Sequence, residues 1–62
     1  MTIKDIKRIR NKLMMTQEEF AKAVGLSLSS VQGWEQGWIK SIRLKNQRKI
    51  IDYCEKMGVK KW

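Results

Sequence analysis

Apolar residues in this chain recur every three to four positions, with no sustained apolar/polar alternation and no proline. That spacing lines one face of an α-helix, and it predicts an all-α fold with no sheet. Ile3, Ile6, Ile9 and Leu13, with Lys and Arg between them, predict a first helix from about Thr2 to Met14, Thr2 being its cap. Thr16 opens the second. Its hydroxyl can accept from a free backbone N–H, Glu19 completes a capping box, and Glu18 and Glu19 both suit the positive end of the helix dipole. Phe20, Ala21 and Val24 form the buried stripe, and Gly25 ends the helix in a left-handed turn. Ser27 can cap a third helix, on which Val31 and Trp34 share one face. Leu28, Ser29, Gln32 and Gly33 lie on the other face, the one free to touch a ligand. Gly37 stops that helix. Trp38 to Lys45 reads as a connection or a frayed start, and Ile50, Ile51, Cys54 and Met57 mark a final helix ending at Gly58.

Two short helices joined by a tight turn over about 17–36 are how a small protein presents a helix to DNA. Ala21 fits such a crossing, since a bulky side chain there would wedge the two backbones apart. The charge balance points the same way: 14 Lys and Arg against 6 acidic residues give +8 on 62 residues, and a polyanion is the natural partner. The basic residues are spread along the chain, so a merely solvated surface is the alternative reading. The length allows one domain, residues 1–62, with a small core and modest stability, so dimerisation can matter.

Other classes of function find little support. Cys54 is alone and there is no His, which predicts no disulfide, no metal site and a reducing cytoplasm, with Cys54 a small core residue. No apolar run is long enough to span a membrane, and Met1-Thr2-Ile3-Lys4-Asp5 lacks the start of a signal peptide, so an intact, soluble cytoplasmic protein is expected. A sole cysteine without a base, no glycine-rich phosphate loop and no paired carboxylates argue against an enzyme. Neither a cofactor nor a small-molecule ligand is expected.

The chain resembles the Cro/C1-type helix-turn-helix regulators, the xenobiotic-response-element (XRE) family, over roughly Ile6 to Val59. The resemblance is carried by Arg10, by Thr16, Gln17, Phe20 and Ala21 opening the second helix, and by Val24-Gly25 in the turn. It extends to Val31, Trp34, Glu35 and Gly37 closing the third helix, and to Gly58-Val59 at the end. It implies a compact four- to five-helix lambda-repressor-like DNA-binding domain that regulates transcription, typically as a repressor and a homodimer on double-stranded DNA. Glu35 lies at the negative end of its helix beside an apolar Trp34 and needs a cation, and the resemblance implies that Arg10 supplies it.

If helix 27–36 enters the major groove, Ser27, Leu28, Ser29, Gln32 and Gly33 are the base-reading set, with Gln32 suited to adenine and Leu28 to a thymine methyl. Family members often carry a longer reader at the position of Gly33. Its bare backbone therefore implies either close approach to the DNA or low specificity that depends on DNA shape. The resemblance implies that Gln17 binds a phosphate, and Lys7, Gln36, Lys40 and Arg43 are the other candidate backbone contacts. Trp38 either covers the core from the loop or stands at a partner interface. Because family members commonly dimerise through the region after the third helix, Trp38, Ile39, Ile42, Leu44 and Trp62 are the interface candidates. The rival function is a protein-interaction module, such as an antitoxin or a bridging factor, built on the same fold.

Overall fold

The computed structural model describes residues 1–60 and 62. Four helices follow in order, α1 (Ile3–Lys12), α2 (Gln17–Val24), α3 (Leu28–Gln36) and α4 (Leu44–Lys56), and no strand occurs among the described residues. The all-α, lambda-repressor-like fold with its α2-turn-α3 unit is therefore the observed one.

Local chemistry sets most of the helix ends. The Thr2 N–H donates to the Asp5 carboxylate at 2.8 Å, starting α1. That helix stops at Lys12, short of Met14, because Met14 turns into the left-handed region at φ +56° and the Met15 N–H returns to the Arg10 carbonyl at 3.1 Å. The α2 capping box closes in both directions: Glu19 N–H to Thr16 Oγ1 at 3.1 Å, and Thr16 N–H to Glu19 Oε1 at 2.8 Å. Gly25, at φ +76°, reverses the chain, and the Leu26 N–H reaches back to the Ala21 carbonyl at 2.8 Å. Ser27 Oγ then accepts from the Ser30 N–H at 3.2 Å and starts α3.

The core draws on every helix. Ile6 and Ile9 of α1, Phe20, Ala21 and Val24 of α2, Val31 and Trp34 of α3, and Ile50 and Cys54 of α4 are buried together. Burial also pushes the Cys54 thiol pKa up, as expected for a cysteine that serves as packing.

The segment after α3 departs from expectation. α4 begins at Leu44, so the connection is only 37–43, and the Asn46 and Gln47 N–H groups donate to the Arg43 carbonyl at 2.9 and 3.0 Å. Two side chains pin this loop down: Trp34 Nε1 donates to the Ser41 carbonyl at 3.2 Å, and Gln47 Nε2 to the Ile42 carbonyl at 2.8 Å. Ile42 is thereby turned into the core at 9% exposure, so it does not offer the partner surface expected of it. Burying an isoleucine side chain is worth about 2 kcal/mol, which the monomer gains without a partner. Trp62 is likewise not a free apolar surface: it is half-buried against the core. Trp38 goes the other way. It is 77% exposed and does not cover the core.

Candidate nucleic-acid interface

The outer side of α3 is set by what holds its inner side. Val31 and Trp34 are buried, and Glu35, next along the helix, is clamped by Arg10 from α1. Arg10 Nε donates to Glu35 Oε2 and Nη2 to Oε1, both at 2.8 Å, while Nη1 donates to the Met15 carbonyl at 3.0 Å. One guanidinium thus ties α1 to the end of α3 and to the chain entering α2. The two side chains are only 15% and 6% exposed, so this is a desolvated, bidentate pair. Burial pushes the Glu35 carboxyl pKa up, but hydrogen bonds from Arg10 and then Gln17, with the charges of Arg10 and Lys7, outweigh it and hold the pKa below its ordinary 4.5. The hydrogen bond to Glu35, opposed by burial and joined by its charge, raises the Arg10 pKa.

Ser29, Gln32, Gly33 and Gln36 lie on α3 opposite that anchored side. Ser29 and Gln36 are exposed and Gln32 half-buried, leaving their polar groups on the outer surface. Leu28 is half-buried and packs against the core, so only part of it faces outward. The Ser27 hydroxyl is engaged within α3, accepting from the Ser30 N–H and donating to Ser30 Oγ at 2.8 Å.

Gly33 is not bare backbone open to a ligand. It is buried beneath Ile39: a Cβ added to Gly33 would lie 2.5 Å from Ile39 Cδ1 and 2.6 Å from Cγ1. Turning back at Gly37, the chain lays Ile39 there, with the Gly37 and Ile39 N–H groups both donating to the Gly33 carbonyl at 3.0 Å.

Cations flank α3 on two sides of Trp34. On one side Lys4 and Lys7 of α1 share a shallow cleft with Gln36 and Glu35. On the other side Arg43 shares a cleft with Ser30, Ile39, Ser41 and Asn46. Arg43 is the N-cap residue of α4, where no acidic residue occupies the first turn and no side chain caps the helix. The positive dipole end of α4, Arg43 and Lys45 therefore carry the same sign. Lys40 is exposed on the loop between. Gln17, by contrast, is half-buried at the start of α2. Lys4, Lys45 and Ile39 join this surface without having been singled out as contacts. The lysines carry no local signal distinguishing them from other surface charges, and the pointer to Ile39 is the glycine inside α3.

A family model described as helix-turn-helix matches residues 6–61, nearly the whole chain. None of the curated proteins and none of the solved structures matches it. Among the described residues, no helix is long and apolar enough to cross a membrane.

Proposed function

Because this chain belongs to the helix-turn-helix family of Cro/C1-type DNA-binding regulators, we propose that it is a cytoplasmic, sequence-specific repressor that lays α3 in the major groove of duplex DNA. The observation that carries the reading is the outward α3 surface of Ser29 and Gln32, held in place from behind by Arg10 and Glu35 and bordered by Lys7, Lys40 and Arg43. A side chain with an amide can pair with adenine and a hydroxyl with several bases, whereas the flanking cations neutralise phosphates regardless of sequence. Gln32, Ser29 and the outward part of Leu28 are the readers. Ser27, engaged in its cap, contributes by setting the helix start. Lys7, Gln36, Lys40 and Arg43 are the phosphate anchors, and Gln17, half-buried at the start of α2, joins them. Trp38 and Leu44, both exposed, are the proposed contact between two copies on a two-fold related site.

Selection from a randomised duplex pool, followed by titration at two salt concentrations, tests the reading. Enrichment of short paired half-sites is expected. Gln32→Ala should relax preference at one base position by about 1–3 kcal/mol. Lys40→Ala should weaken all sequences alike and reduce the salt slope by about one. Weak, uniform binding with no enriched site would favour a module that binds another protein instead.

A further inference from the structure

Ile39 is an aliphatic side chain standing where the recognition helix has none. Gly33 lies on the same outward side of α3 as Ser29 and Gln32, and Ile39 fills the space that a residue-33 side chain would occupy. It is 38% exposed, so it covers Gly33 with one side and keeps another free. On its far side it shares a cleft with Arg43 at the start of α4. Across this surface the order is therefore hydrogen-bonding groups, then an aliphatic group, then a cation. A thymine in the major groove presents a matching order, with its O4 acceptor toward the middle of the pair, its methyl toward its own backbone, and the phosphate beyond.

We propose that Ile39 is a specificity-determining residue, which reads a thymine 5-methyl group by apolar contact in place of a side chain at Gly33. The inference rests on α3 occupying the major groove. It assigns to DNA a residue that the sequence suggested for a dimer interface, because its side chain is seated on α3 and shares the surface of the readers.

The test replaces each thymine of the selected site, one at a time, with deoxyuridine, which removes the methyl and leaves the pairing edge intact. At one thymine per half-site the wild type should lose about fourfold in affinity, the value of one methyl-sized group removed from water. Ile39→Ala should bind thymine and uracil equally at that position. It should keep any methyl dependence that Leu28 creates elsewhere. Ile39→Val, which keeps the branched stem and loses Cδ1, should retain part of the discrimination. Circular dichroism and thermal melting of both variants separate a lost contact from a lost fold. If no methyl dependence of the wild type is abolished in Ile39→Ala, or reduced in Ile39→Val should the alanine variant fail to fold, the proposal is overturned while sequence-specific binding stands. Loss of selective binding by the wild type itself would remove the groove reading, and this proposal with it.

Discussion

Arg10 and Glu35, 25 residues apart, meet in a bidentate pair whose four atoms close at 2.8 Å on each side. The pair binds α1 to the end of α3, so the orientation of the reading helix depends on it. Replacing Arg10 with Ala strands a desolvated carboxylate and should cost about 3 kcal/mol, read as a lower urea midpoint. Replacing both partners with apolar residues of similar volume should cost less than the single change. A double variant as damaged as the single one would show that the pair is not the coupled unit described.

The same pair sets a pH dependence. The folded-state pKa of Glu35 lies below its ordinary 4.5, so the stability it contributes is fully present above that value and is lost as pH falls through the folded one. Glu19, through the Thr16 backbone hydrogen bond, and Asp5, through that of Thr2, are lowered from 4.5 and 3.8 and act in the same direction. Unfolding midpoints measured from about pH 7 down to about pH 3 should fall below about pH 4.5. Glu35→Gln should be less stable at neutral pH yet show a shallower acid slope, with the remaining slope owed to Asp5 and Glu19.

Gly33 and Ile39 should be strongly non-additive. Alanine favours a helix interior over glycine by about 1 kcal/mol, but at position 33 its Cβ would meet Ile39. Gly33→Ala alone should therefore gain little or lose stability, whereas in an Ile39→Ala background it should stabilise by about 1 kcal/mol. Thermal melts of the four proteins measure the coupling; equal effects in both backgrounds would mean that the two positions do not touch.

Met14 is the one non-glycine residue with positive φ among the described residues, at +56°. A side chain in that region costs about 1–2 kcal/mol, partly offset in a glycine by the larger entropy of the unfolded chain. Met14→Gly should raise stability by about 0.5–1 kcal/mol, a few degrees in melting temperature for a domain this small.

Trp38 and Leu44 present apolar surface beside the recognition unit. Trp38→Ser together with Leu44→Gln should shift sedimentation toward the monomer and weaken binding to a paired site more than to a single half-site. Unchanged sedimentation of a dimeric wild type would place its contact elsewhere.

What could be read from the sequence was what acts over a few residues. Thr16 with Glu19, Ser27, and Gly25 each set a helix end through bonds to neighbours within about one turn, so their spacing sufficed. The family motif extended this to one distant contact, that of Arg10 with Glu35. Ile42 and Ile39 were not legible, because their surroundings depend on where the chain returns after α3, and Trp62 was not, because it packs on the core from beyond α4. The Trp34 indole reaching Ser41 and the Gln47 amide reaching Ile42 decide that path, and neither leaves a periodic trace. The short reading of α4 has a related cause: it is opened by backbone bonds to Arg43, and arginine is not a residue that marks a helix start.

The seating of Ile39 on Gly33 constrains how this protein could acquire a new target. A helix with open positions can change its preference by exchanging one reader, but here position 33 is sterically closed until position 39 shrinks. The first of those two steps gives up one contact before the second can supply another. Preference should therefore drift more readily through Ser29 and Gln32, leaving the glycine and the isoleucine to be retained or replaced together.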